Sequence, residues 1–212
     1  MLAAIAVAAV MIWGLWPSRP TGLGTDITSH ISTPASLYLS LNGREIVNGS
    51  IRGRAEGGGA TYASRWGDAL NWDLAWYDIL ADRSYRLKFA VAASELATLD
   101  TEKSNATISI VVGPGADIVV TTAHPEVARL IALRKGKELA ELQGADPVIL
   151  RELCAEPLPD DDPFTQENRK YVESFKHVSS TGGYHLERAL AARETYLQNN
   201  KISPRCPDAG EE

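Results

Sequence analysis

Residues Leu70–Leu87 read Leu-Asn-Trp-Asp-Leu-Ala-Trp-Tyr-Asp-Ile-Leu-Ala-Asp-Arg-Ser-Tyr-Arg-Leu, with two of the chain's five tryptophans, two of its seven tyrosines and three aspartates. Leu70, Trp72, Leu74 and Trp76 recur at spacing two, which places them on one face of an extended strand. Asn71, Asp73, Ala75 and Tyr77 take the other face. Asp78 to Arg83 has turn character, and alternation resumes from Ser84. Tyr85, Leu87, Phe89 and Val91 then face one side and Arg86 and Lys88 the other. The pattern predicts an antiparallel strand pair joined by an Asp-containing turn.

The same period extends outward in both directions. Leu37, Leu39 and Leu41 alternate with Ser36, Tyr38 and Ser40, and Asn42-Gly43 is a strong hairpin signal that returns the chain through Ile46, Val47 and Ile51. Downstream, Ile108, Ile110 and Val112 alternate. Gly113-Pro114-Gly115-Ala116-Asp117 is a turn by local chemistry, and Ile118–Thr122 forms the second arm of a hairpin. Residues 127–133 read as a strand or the start of a helix, the strand favoured because the preceding hairpin wants a neighbour.

From Lys135 the alternation stops, and segments 146–153, 166–177 and 184–199 read as helices, the first opened by Asp146-Pro147 as N-cap and first-turn proline. The expected fold class is therefore α+β: a mainly antiparallel, β-sandwich-like domain over residues 35–134. Helices over residues 135–200 would pack on it, and residues 201–212 would form a polar tail.

Residues 1–16 carry no charged side chain. As a helix they would span about 24 Å, short of a hydrocarbon core of about 30 Å. That length fits a signal peptide or signal anchor, with Trp13 and Trp16 at the interface and Pro17 and Pro20 as stops. Residues 17–34, rich in Pro, Gly, Ser and Thr, read as a linker. The body is expected in the periplasm, exported or anchored to the inner membrane. Arg19 behind the apolar run points the other way on the positive-inside rule. The chain has two cysteines, Cys154 and Cys206. In an exported protein such a pair invites a disulfide that closes a loop of about fifty residues and stabilises by roughly 4 kcal/mol in the chain-entropy model; in the cytoplasm they would be two thiols.

No catalytic signature emerges from the motifs. There is no G-x-S-x-G elbow, and His30, His124, His177 and His185 stand in no metal-ligand spacing. The glycines of the 56–67 loop complete neither a Walker pattern nor G-x-G-x-x-G. Asp160-Asp161-Asp162 lacks the spacing of a calcium loop and reads as an exposed acidic loop or a contact for a basic partner. Asp73, Asp78 and Asp82 are caps and turn residues on the plain reading and an acid/base set on the functional one. Trp72 and Trp76 are core residues on the plain reading and a sugar platform on the other. A net charge of -6 disfavours nucleic acid as a partner. No cofactor is implied.

Two segments stand in the order seen in a known family. Trp72-Asp-Leu-Ala-Trp76-Tyr-Asp-Ile-Leu-Ala-Asp82-Arg-Ser-Tyr85-Arg-Leu and Ile108-Ser-Ile-Val-Val-Gly113-Pro-Gly115-Ala-Asp117-Ile-Val-Val resemble a strand-turn-strand and a later hairpin in an uncharacterised family of Gram-negative envelope lipoproteins. The likeness covers roughly residues 35–140. Members are often encoded beside type VI secretion lipase effectors, so the resemblance implies an immunity protein, not an enzyme, that occludes a secreted lipase. The chain departs from the family in lacking a lipobox cysteine, in the residues at Asp78 and Ala81, and in its helical C-terminal third.

On this reading the expected partner contacts are Glu56 and Arg65 in the glycine-rich loop and Asp160, Asp161 and Asp162 in the acidic loop. The alternatives are an envelope carbohydrate-binding or hydrolytic protein using the Trp/Asp strand pair, and a structural component of an envelope secretion assembly.

Overall fold

The computed structural model describes residues 22–29, 35–51, 60–62, 68–79, 81–97, 105–142, 144–179 and 186–206. The expected membrane segment 1–16 lies outside them. Among the described residues, no helix is long and apolar enough to cross a membrane.

The chain is mixed α+β. Its strands are β1 (Gly22–Ser29), β2 (Ala35–Leu41), β3 (Arg44–Ile51), β4 (Ala60–Tyr62), β5 (Ala69–Asp78), β6 (Arg83–Ala92), β7 (Asn105–Val112), β8 (Asp117–Thr122), β9 (Val148–Cys154) and β10 (Glu156–Pro157). A 3-10 turn, Ala93–Glu95, follows β6. The helices are α1 (Pro125–Ala132), α2 (Gly136–Glu141), α3 (Pro163–Ser179) and α4 (Leu186–Asn199). They accompany two five-stranded sheets, ordered β4-β1-β7-β8-β9 and β10-β6-β5-β2-β3.

Residues Leu70–Leu87 sit at the centre of the second sheet. β5 pairs antiparallel with β6 in a register that sets Trp72 opposite Phe89, Leu74 opposite Leu87 and Trp76 opposite Tyr85. Cross-strand partners share a face, so the aromatic rings stack: Trp76 on Tyr85 at 5.2 Å and Trp72 on Phe89 at 6.1 Å. β2 flanks β5 on its other side. Asn42 and Gly43 at the β2–β3 turn both have positive φ, which their side chains tolerate. Residues of both sheets join one hydrophobic cluster, in which Leu23, Ile27, Ile108, Ile110, Ile118 and Val120 meet Leu37, Leu39, Leu70, Trp72, Leu74 and Trp76.

The expected hairpin of β7 and β8 pairs Ser109 with Thr121 through Val112 with Ile118. Gly113 is required by space: a Cβ there would lie 2.8 Å from Asp117 Cβ, because the Gly113 N–H donates to the Asp117 carbonyl across the turn at 2.8 Å.

Four expectations are corrected. The linker 17–34 contains β1, which runs parallel to β7 over its whole length; its Gly and Thr residues hide the period, but Leu23, Thr25 and Ile27 are buried at spacing two. The β domain therefore does not open at residue 35. The expected strand 127–133 is helix α1, which begins at Pro125 with the His124 Nδ1 accepting the Glu126 N–H at 3.2 Å.

The expected helix 146–153 is instead strand β9. It pairs with β8 from Asp117–Cys154 to Thr122–Val148, because the open β8 edge and the branched Val148 and Ile149 outweigh the Asp-Pro start signal. Residues 135–200 are thus not wholly helical: the chain leaves β9 in one sheet and enters β10 in the other, where Glu156 faces Arg86. The glycine-rich 56–67 stretch contains β4, paired antiparallel with β1.

Candidate functional site

The turn between β5 and β6 gathers acids that helices α3 and α4 meet with arginines. Asp78 is 1% exposed and forms an ion pair with Arg193 of α4 at 2.8 Å. Asp82, at φ +51, accepts a hydrogen bond from the Tyr77 hydroxyl and another from Arg169 Nε of α3 at 2.9 Å. The Arg169 fork also reaches Asp160 Oδ1 at 2.7 Å. Burial, reinforced by the Asp82 carboxylate, raises the Tyr77 phenol above its ordinary pKa and keeps it protonated. Hydrogen bonds to Asp82 and then Asp160 raise Arg169 further into its charged form. Asp73 pairs separately with Arg86 through two bonds of 2.6 and 2.9 Å, which lowers its carboxyl pKa.

The three aspartates of the opening stretch therefore serve three different arginines and do not assemble as an acid/base set. Trp72 and Trp76, 2% and 0% exposed, lie in the core and offer no sugar platform.

The acidic loop is also committed to the fold. Asp162 Oδ1 accepts the Phe164 N–H at 2.9 Å, the N-cap of α3 with Pro163 in the first turn. Asp160 is held by Arg169, and its carbonyl accepts from Gln166 Nε2 at 2.7 Å. Asp161 stays exposed. The structure thus brings together Asp160 and Asp82, a pairing the sequence did not indicate. Glu56 and Arg65 lie outside the described residues, as do His30 and His185.

At the other end, Cys154 of β9 and Cys206 are joined in a disulfide. The buried Asp117 carboxylate accepts the backbone N–H groups of Arg205 and Cys206 at 2.8 and 2.7 Å, and Arg205 reaches Glu152 at 2.5 Å. Asp117, Cys154 and Cys206 lie close enough to share a metal ion. With the two sulfurs bonded to each other, neither offers the thiolate that a metal requires.

The outward side of the first sheet is concave. Gly24 and Asp26 of β1, Thr107, Ser109 and Val111 of β7 and Thr121 of β8 line a depression of about 460 Å³ together with Ala123 and Pro147. Burial against the sheet raises the Asp26 carboxyl pKa, opposed by a hydrogen bond from the Ile27 N–H. Beside the depression, Ile149 stands opposite Thr121 and is 58% exposed. Sequence reasoning missed this surface because its edge is β1, which reads as linker, while β7 and β8 are assigned without that neighbour. The one signal for it was the run of short side chains at Gly24, Thr107, Ser109 and Thr121.

No family model matches the chain, and no curated protein matches it. A solved structure of Klebsiella pneumoniae 5-hydroxyisourate hydrolase is similar at 14% identity with a TM-score of 0.28, over 49% of this chain and 99% of that one. A likeness at that level carries no argument about fold or chemistry.

Proposed function

We propose that the chain is an exported or inner-membrane-anchored binding protein of the cell envelope, an immunity protein that neutralises a secreted type VI lipase effector by covering its active-site entrance. The observation that carries the binding reading is the use made of the acids. Asp73, Asp78, Asp82 and Asp160 are each tied to an arginine of the same chain, and Asp82 and Asp78 thereby hold helices α3 and α4 to the end of the second sheet. A carboxylate held by a guanidinium is a poor proton carrier. Occlusion needs no catalytic group, only a firm scaffold with surface to offer.

The Cys154–Cys206 bridge supports an oxidising compartment, where such bonds persist. Residues 1–16 would supply the export or anchoring signal. The lipase as partner rests on the family resemblance of the two strand-turn-strand segments. Glu56, Arg65 and Asp161 are proposed as further partner contacts.

The test is protection in cells. A strain that receives the product of the adjacent gene in its periplasm, on this proposal a lipase, should survive when it expresses the full-length chain and lyse when it does not. Equal lysis in both strains would refute the proposal.

A further inference from the structure

Gly24 lies within β1, Gly-Leu-Gly-Thr-Asp-Ile-Thr-Ser, and its backbone does not require glycine. Its φ is outside the left-handed region, and a Cβ added there would meet Thr107 Cγ2 at 3.6 Å, an ordinary contact. What the missing side chain provides is room, and it deepens the depression on the outward side of the first sheet.

Asp26, two residues along on the same side, is exposed. It differs from the acids described above. Among the described residues no Lys, Arg or His pairs with it, whereas Asp73, Asp78, Asp82, Glu95, Glu152 and Asp160 all engage arginines. A carboxylate partly desolvated by the sheet, with only the Ile27 N–H and no cation among the described residues to offset the loss, is left under-compensated. An incoming cation would restore it. The Thr107 hydroxyl, opposite Gly24 on β7, is buried and has no hydrogen-bond partner among the described residues, a second acceptor in want of a donor. Rotation about χ1 would exchange Oγ1 for Cγ2 and bring it to the depression.

We propose that this depression receives an arginine or lysine side chain of a protein partner, its N–H groups bonding to Asp26 and its aliphatic stem lying along Val111. Ile149, 58% exposed and opposite Thr121, gives the partner an apolar rim that excludes water from the charge pair. The net charge of -6 favours approach by a basic surface. This inference rests on the binding-protein reading and adds the chemistry of the partner's contact.

The experiment is a nuclear magnetic resonance titration of the full-length, isotope-labelled protein in detergent micelles. The probes are N-acetyl-arginine amide and N-acetyl-lysine amide, with N-acetyl-norleucine amide as the uncharged counterpart. The cationic probes should shift the amides of Gly24, Asp26, Thr107 and Thr121, and norleucine should not. Asp26→Asn should weaken binding at least about tenfold, the loss of one partly desolvated charge pair. Gly24→Val, which fills the depression without a backbone clash, should abolish it, with the unchanged remainder of the spectrum showing that the variant folds.

Equal binding of norleucine, shifts confined to other regions, or full affinity in both variants would overturn the inference. Lipase neutralisation that survives both substitutions would overturn it too, while leaving the proposed function standing. Specific binding of the cationic probes without lipase neutralisation would support the inference and remove the lipase.

Discussion

Asp78 and Arg193, 115 positions apart, form an ion pair at 2.8 Å in which the carboxylate is 1% exposed and the guanidinium 13%. It joins the turn after β5 to the last helix and so fixes α4 on the second sheet. Removing one partner takes from the other its ion pair inside the fold, which costs up to about 3–5 kcal/mol. Asp78→Asn and Arg193→Met should each lower the urea midpoint steeply. The double variant Asp78→Asn/Arg193→Met should recover part of the loss. Strict additivity in that cycle would mean that the pair contributes no coupling.

Gly113 and Gly43 are glycines for different reasons, and their alanine variants should separate them. At Gly113 the obstacle is the Asp117 Cβ at 2.8 Å, so Gly113→Ala forces the β7–β8 turn apart and should cost about 1–3 kcal/mol, the range for overpacking. Nothing lies within 4 Å of a Cβ at Gly43, where only the φ of +78 is strained. Gly43→Ala should therefore cost about 1 kcal/mol, and Gly43→Asn less. Thermal melts of the three variants check the order.

The Cys154–Cys206 bridge closes a loop of 52 positions and stabilises by about 4 kcal/mol in the chain-entropy model. Cys154→Ser/Cys206→Ser should lower the denaturation midpoint by a corresponding amount. The Asp117 carboxylate should keep the segment around Arg205 and Cys206 docked in that variant, because its two hydrogen bonds there do not depend on the sulfurs. Hydrogen exchange at those two amides measures this. Protection lost as completely as in Asp117→Ala would show that the bridge alone holds the segment.

Asp73 and Asp26 should give stability–pH profiles of opposite sign. The Arg86 hydrogen bonds lower the folded-state pKa of Asp73 below 3.8, so its contribution is complete above the unfolded value and is lost as pH falls through the folded one. Asp73→Asn should thus be less stable than wild type at about pH 6 and converge with it near about pH 2. The pair is partly exposed, which keeps the difference below about 1 kcal/mol. Burial raises the Asp26 pKa above 3.8, so its ionised form disfavours folding. Asp26→Asn should be slightly more stable than wild type at neutral pH and equal to it in acid. Urea midpoints across pH for both variants provide the measurement.

The parts of the fold legible in the sequence are those where alternation is strong and the turn chemistry unambiguous. β5 and β6 alternate through the Trp and Leu positions, and Asn42-Gly43 and Gly113–Asp117 punctuate the β2–β3 and β7–β8 hairpins. β1 escaped because Gly22, Gly24 and Thr25 carry little hydrophobic signal, and its parallel partner β7 lies about eighty residues away, outside any local window. The dipeptide Asp-Pro occurs at both Asp146-Pro147 and Asp162-Pro163. Only the second starts a helix, and it does so where Gln166 and Arg169 reach back to Asp160 from the first turns. The first is followed by Val148-Ile149-Leu150, which an open strand edge captures. The acids of the β5–β6 turn were visible as residues, but their arginine partners stand up to 115 positions away, beyond the reach of pattern reading.

On the proposed function the chain binds a secreted lipase, and titrating a purified periplasm-directed phospholipase, the product of the adjacent gene, with the purified full-length chain while following hydrolysis of a phospholipid substrate tests this most directly. Activity should fall linearly to zero at one equivalent, and the complex should survive gel filtration. Undiminished turnover with the chain in large excess would contradict the account.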